Sequence, residues 1–318
     1  MDNLRVGVVG VGYLGKFHAQ KYNRMPDADL VGVVDPDAAQ GRRVADENNT
    51  AYYNDHRSLF GKVDAISIAA PTPAHFTIAK DFLHKDVDVL IEKPITSDLA
   101  DADELIQIAE SKGRIIQVGH LERFNPAVVA LEGKINRPRF IESHRLSIFQ
   151  GRGTDVSVVL DLMIHDIDLI LNLVGANIKS VHAAGISVIS DTIDIANARL
   201  SFVNGAVANV TASRISAKNE RKLRLFQKEA YISIDFANHN ITLVYPDADQ
   251  SEGLIPGMAI DHLNFKKGDA LDDELKSFVQ SVKHRRQPLV TGQMGRDALE
   301  TALSIMEQIK ETSQHLVS

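Results

Sequence analysis

The chain has 318 residues, a net charge of −7 at pH 7 and no cysteine. There is no broad basic footprint for nucleic acid. Disulfides, thiolate nucleophiles and cysteine-based zinc sites are excluded, and no apolar run approaches the ~20 residues of a membrane span. The length suits two domains. The opening residues, Met1 to Arg5, lead directly into an apolar run with no leader pattern, so a soluble cytoplasmic protein is expected.

Leu4 to Val9 is a valine-rich run suited to a strand buried on both faces of a parallel sheet. It meets Gly10-x-Gly12-x-x-Gly15, with Tyr13 and Leu14 inside the pattern, and Tyr13 to Tyr22 reads as a helix ended before Pro26. Strand, glycine turn and helix in this order cradle a diphosphate: Gly10 permits the tight turn, Gly12 lets backbone approach the ligand, and Gly15 lets helix and strand pack closely. A second strand, Ala28 to Val34, ends at Asp35, twenty residues beyond Gly15. A carboxylate there can accept hydrogen bonds from the adenosine ribose hydroxyls. It also repels a 2′-phosphate, and Pro36 offers no cation to bind one. NAD is therefore favoured over NADP, with Arg42 and Arg43 as the opposing cations.

Pro36 suits the start of a helix running to about Glu47, and Val63 to Ala69 is a further strand. It enters Ala70-Pro71-Thr72-Pro73-Ala74-His75, a turn at the ligand-bearing end of such a sheet, so Pro71 and Thr72 border the cofactor. His75 opens a helix to about Lys85 and serves either as a helix-start residue or as a nicotinamide neighbour. Val87 to Ile91 precedes Glu92-Lys93-Pro94, which places Glu92 and Lys93 at the same sheet edge, with Pro94 restraining the turn. A helix from Ser97 to Lys112 and a strand from Arg114 to Val118 complete a doubly wound parallel sheet over residues 1–120.

After residue 120 the pattern changes. A short helix from Pro126 to Glu132 is followed by strands at Phe140–Ile148, Ile178–Ile189, Ile193–Phe202, Ala206–Ser213, Leu223–Phe226, Ala230–Phe236 and Ile241–Tyr245, with Asn204-Gly205 as a hairpin turn. Residues 121–318 thus read as an α+β domain with a large, mostly antiparallel open sheet, closed by helices near Ala270–Arg285 and Gly292–His315 that can pack back on the first domain. Between these strands Asp155 to Val174 reads as one buried helix. At about 100° per residue its polar residues Asp161, His165, Asp168 and Asn172 share one narrow face. Asp168 and Asn172 suit a structural network. Asp161 and His165, one turn apart, suit chemistry, because an acid beside an imidazole orients it and raises its basicity. No third ligand accompanies them, so no metal is expected.

Together, Gly10-x-Gly12-x-x-Gly15, Asp35, Glu92-Lys93-Pro94 and Asp161-x-x-x-His165 resemble the Gfo/Idh/MocA family, the glucose–fructose oxidoreductase and inositol dehydrogenase group, across essentially the whole chain. The resemblance implies an NAD(P)-dependent oxidoreductase acting on a sugar or cyclitol hydroxyl, with Lys93, Asp161 and His165 as the catalytic set. It also implies a homodimer or homotetramer through the second domain's sheet. Gly119 to Pro126 and Thr154 to Asp168 look like the subgroup that oxidises the C3 hydroxyl of UDP-N-acetylglucosamine. A nucleotide-sugar substrate would then meet Arg123, Asn125 and Arg152 as well as Asp161 and His165, with Arg145 and Arg214 as further cations for a diphosphate. A free-sugar or inositol dehydrogenase is the alternative within the family. An NAD(P)-binding regulator without turnover is the alternative outside it, and the presence of Lys93, Asp161 and His165 together argues for an enzyme. His165 removing the hydroxyl proton, with Lys93 donating to the oxygen, is one assignment; the reverse is the other.

Overall fold

The computed structural model describes residues 3–131, 133–151, 154–238, 240–249, 255–265 and 268–314. In chain order the elements are β1 (Leu4–Val9), α1 (Gly15–Arg24), β2 (Ala28–Val34), α2 (Ala38–Glu47), β3 (Ala51–Tyr53), β4 (Ala65–Ile68), α3 (His75–His84), β5 (Asp88–Glu92), α4 (Leu99–Lys112), β6 (Ile116–Gly119), α5 (Pro126–Val129) and β7 (Phe140–Leu146). They continue with α6 (Ile164–Val174), β8 (Ile178–Ile186), β9 (Ile195–Phe202), β10 (Val207–Ser213), β11 (Glu220–Gln227), β12 (Ala230–Asp235), β13 (Asn240–Pro246), β14 (Met258–Asn264), α7 (Ala270–His284) and α8 (Gly292–Gln314). The chain divides into two units. The first comprises Met1–Phe124 with Asp269–Leu299, and the second Asn125–Gly268 with Glu300–Ser318.

The first unit holds a six-stranded, all-parallel sheet in the order β3-β2-β1-β4-β5-β6. Val6, Val8, Val33 and Leu90 from its strands pack with Ala19 and Tyr22 of α1 and with Leu275, Phe278 and Val279 of α7 in one buried cluster. Valine dominates because a strand covered on both faces needs apolar side chains on both. Helix starts are set by carboxylates: Asp37 accepts from Ala39 and Gln40 N–H, and Asp98 accepts from Asp101 N–H. The capping explains why α2 begins at Ala38 rather than at Pro36, and α4 at Leu99 rather than at Ser97. Similarly, α1 begins at Gly15, because residues 10–14 form the turn itself.

The second unit carries an eight-stranded sheet in the order β14-β13-β12-β11-β7-β10-β9-β8. β7 and β10 pair in parallel and every other neighbouring pair is antiparallel. Burial alternates residue by residue along β7, β9 and β10, so one face is covered and the other bears polar side chains such as Asn197, Arg199 and Thr211. The β9–β10 hairpin turns at Asn204-Gly205, where Gly205 takes φ +85°.

Several readings need correction. β3 and β14 are strands that hydrophobic pattern does not announce: β3 has three residues, and β14, Met258–Asn264, is an edge strand with a single buried residue, Ala259. The predicted helix from Asp155 is not helical at its start. A π-helical stretch, Val159–Met163, leads into α6. The predicted strands at Phe140, Ile178 and Ile193 are each shorter by two or three residues at one end, and the helix after Pro126 ends at Val129.

Candidate active site and cofactor cradle

In the first unit, backbone geometry explains each glycine of the turn after β1. Gly10 has φ +82°, and a Cβ there would lie 2.5 Å from Ala70 N. A Cβ at Gly15 would lie 1.8 Å from Gly10 O, so only glycine lets α1 start this close to the strand. At Gly12 a Cβ would meet nothing within 4 Å. This position therefore faces open space, as a surface approached by a diphosphate must. Asp35 is buried beneath the turn: Oδ2 accepts from Val11 N–H at 2.9 Å and Oδ1 from Asp37 N–H at 2.9 Å. Each oxygen keeps a second lone pair for a ribose hydroxyl. Arg43 bonds Gln40 Oε1 at 2.8 Å, and Arg42 lies over the Tyr52 ring at 5.3 Å. Tyr13 and Leu14 are exposed at 65% and 41%, an apolar rim beside the glycines. These residues fit an NAD cofactor.

At the same sheet edge Pro71 precedes a short 3-10 turn, Thr72–Ala74, that leads into α3. His75 is buried: Nδ1 faces Pro94 O at 3.0 Å and Nε2 faces Ala70 O at 2.8 Å. Burial lowers its pKa against the two carbonyls that favour the charged ring, and the ring ties two turns together. The Lys93–Pro94 bond is cis. The Glu92 carboxylate is turned inward, 3.1 Å from His18 Nε2. Burial would raise its pKa. The His18 contact, with the charges of Lys93 and His75, overrides this and holds it below the usual range.

In the second unit Asp161 lies in the π-helical stretch and His165 in the first turn of α6, both half-buried. π-Helical turns recur at functional sites. Asp168 is buried, but Asn172, near the end of α6, is exposed, so the polar stripe ends one turn earlier than expected; the π turn changes the angle only between Asp161 and the residues of α6. Sequence reasoning missed Asp166, off the stripe, which is 2% exposed and grips Arg145 at 2.6 Å and 3.3 Å. Arg145 is therefore a structural cation. Arg214 is buried likewise, donating to Val156 O and lying 3.8 Å from Asp194. Asn125 caps α5, its Oδ1 accepting from Ala127 N–H at 3.0 Å. Arg123, in the first unit, is buried with its Nη2 at 3.3 Å from Met294 Sδ. Arg152 lies outside the described residues. A cleft of about 400 Å³ in the second unit is lined by Arg145, Gln150, Leu162, Asn219, Arg221 and Phe236. Among the described residues no group of three or more His, Asp or Glu could hold a metal, and no helix is long and apolar enough to cross a membrane.

Residues 4–120 match the oxidoreductase family with an NAD-binding Rossmann fold, and residues 127–233 match the GFO/IDH/MocA C-terminal domain. The UDP-N-acetylglucosamine 3-dehydrogenase of Acidithiobacillus ferrooxidans is 38% identical over 96% of this chain and 97% of its own. A solved structure of that organism's UDP-N-acetylglucosamine 3-dehydrogenase GnnA superposes with a TM-score of 0.91 at 36% identity, covering 98% of this chain and 99% of that one. The myo-inositol 2-dehydrogenase of Thermotoga maritima is more distant, 24% identical over 97% of both chains. With both domains matched and the cradle fitting its cofactor, the chain belongs to the Gfo/Idh/MocA family and is an NAD-dependent oxidoreductase of CH–OH groups.

Proposed function

We propose that this chain oxidises the C3 hydroxyl of UDP-N-acetylglucosamine to the 3-keto sugar. The carrying observation is the 38% identity, spanning nearly the full length of both chains, to a UDP-N-acetylglucosamine 3-dehydrogenase. The cleft beside Leu162 supports the reading: it adjoins Asp161 in sequence and offers Arg221, Gln150 and Asn219 as donors for a nucleotide sugar. The apolar residues Ile186, Val188 and Ile189, each more than half exposed at one end of β8, support a homo-oligomer built on this sheet.

NAD⁺, held by Gly10 to Gly15 and Asp35, supplies the hydride acceptor. His165 takes the proton of the C3 hydroxyl as the C3–H bond gives up its electron pair. Asp161, one turn earlier, orients the imidazole and stabilises its charged form. Lys93, at the end of β5, donates a hydrogen bond to the oxygen as negative charge develops on it.

The test is reduction of NAD⁺ followed by absorbance with UDP-N-acetylglucosamine, free N-acetylglucosamine, glucose and myo-inositol. Reduction with the nucleotide sugar alone is expected. Reduction with a free polyol instead would retain the chemistry and discard the substrate. NAD binding without reduction by any of the four would favour a regulator over an enzyme on this substrate.

A further inference from the structure

The first unit buries a line of polar side chains, ending at Glu92 next to Lys93 in the chain, that the proposed chemistry does not use. Tyr22 OH lies 3.5 Å from Ser67 Oγ, Ser67 Oγ lies 2.9 Å from His18 Nδ1, and His18 Nε2 lies 3.1 Å from Glu92 Oε1. Tyr22, Ser67 and His18 have no exposure, and the Glu92 side chain has 12%. Nδ1 faces the Ser67 hydroxyl and Nε2 faces the carboxylate at ion-pair distance, so the ring links the hydroxyls to Glu92. The carboxylate is confined from its other side too, since a Cβ at Gly119 would lie 2.9 Å from Glu92 Oε2.

A second acid lies in the same interior. Glu274 of α7 is fully buried, and neither carboxylate oxygen has a hydrogen-bond partner among the described residues. Burial, reinforced by the charge on Glu92, pushes its pKa well above the usual carboxylate range. The two buried acids are thus driven in opposite directions, Glu92 towards its charged form and Glu274 towards its neutral one. The ionisable groups acting on Glu92 are His18 from α1, Lys93 beside it, His75 from α3 and Glu274 from α7.

We propose that His18 is a positioning residue for catalysis: acting through Glu92, it fixes a buried negative charge next to Lys93 in the chain and so keeps Lys93 in its charged, hydrogen-bond-donating form. This rests on the proposed role of Lys93. A carboxylate at short range favours the ammonium. Without His18, Glu92 loses the contact that offsets its burial and takes up a proton, and Lys93 loses the charge that holds it.

The direct experiment titrates Lys93 itself, with neither substrate nor cofactor. The full-length protein is labelled with acetic anhydride across pH 7–11, and acetylation of Lys93 is read by peptide mass spectrometry. Glu92→Gln is expected to move the midpoint down by about one unit, a tenfold rise in free amine at a given pH. His18→Leu is expected to move it the same way by a smaller amount. His18→Gln, whose amide can still donate to Glu92, is expected to restore it. The double variant His18→Leu/Glu92→Gln is expected to move it no further than Glu92→Gln alone. Midpoints unmoved by either single substitution, or shifts that add in the double, would overturn the inference. If His18→Leu does not fold, Glu92→Gln and His18→Gln decide the matter: an unmoved midpoint in the first, or a shift in the second as large as that of Glu92→Gln, is a refutation. Turnover of Lys93→Met separates the two layers. An inactive Lys93→Met with unmoved midpoints refutes the role of His18 alone, whereas a fully active Lys93→Met removes the role of Lys93 and this inference with it.

Discussion

The two units meet buried charge differently, although the first also holds one paired acid, Asp88, 2.6 Å from Arg285. In the second, each of the two buried arginines faces a buried acid: Arg145 grips Asp166, and Arg214 lies near Asp194. Asp194 itself accepts from Val188, Ile189 and Ser190 N–H and from Ser190 Oγ at 2.7–3.0 Å, which hold it far below the usual range against the opposing effect of burial. In the first unit Glu274 has no such partner, and Glu92 relies on a histidine. Paired buried charges hold a fold in one arrangement. An unpartnered buried acid opposes folding, so its place near Glu92, whose charge acts on it, calls for a functional reason.

The largest expected effect strikes the chemistry. Lys93→Met should lower kcat by about 10²–10⁴-fold, the usual contribution of a positioned proton-handling group, while NADH affinity, measured by fluorescence, stays within a few-fold. Next comes the paired side of the contrast. Asp166→Asn removes the carboxylate charge that grips buried Arg145 and should cost about 3–5 kcal/mol in urea unfolding. Replacing both residues with apolar ones of similar volume should cost less than either single change.

Glu274→Leu should do the reverse and stabilise the protein by about 1–3 kcal/mol at neutral pH. The sign follows from the raised folded-state pKa of Glu274. Such a group gives its full stability below the unfolded value, near 4.5, and loses it as pH rises towards the folded value. The gain from the leucine should therefore be smallest near pH 4 and grow towards pH 7. Melting curves at the two pH values check this, and equal gains at both would assign the effect to packing alone.

Asp194 has the opposite dependence. Its folded-state pKa is depressed, so its stabilisation is present above the unfolded value of 3.8 and is lost as pH falls below it. Asp194→Asn should lower Tm at pH 7 and flatten the acid limb of the wild-type stability curve. The smallest effect belongs to the cap of α2, where Asp37→Ala should cost about 1 kcal/mol.

Much of the first unit is legible in sequence because its signals are local. Three glycines and an acid twenty residues on define the cradle, and strands covered on both faces appear as unbroken apolar runs. The second unit is legible in its order of strands but less so at its ends. β14 carries too little apolar pattern to be seen, as does the three-residue β3 of the first unit, and the π turn before α6 shifts the angular spacing between Asp161 and the residues of α6. The clearest miss concerns long-range pairing. Arg145 and Arg214 carry charges that sequence offers to a diphosphate, whereas the fold places Asp166 beside the first and Asp194 near the second. His18 and Glu274 were missed for the same reason: no local pattern reveals that residues so far apart in the chain converge on Glu92.

The proposed function is tested most directly by following the hydrogen that moves. UDP-N-acetylglucosamine deuterated at C3 is incubated with the protein and NAD⁺, and the reduced nicotinamide is examined by mass spectrometry. Deuterium transferred to the nicotinamide, with none from substrate deuterated at C4, is the expected result. Reduction that carries label from C4 instead, or no reduction of NAD⁺ at all, would contradict a 3-dehydrogenase.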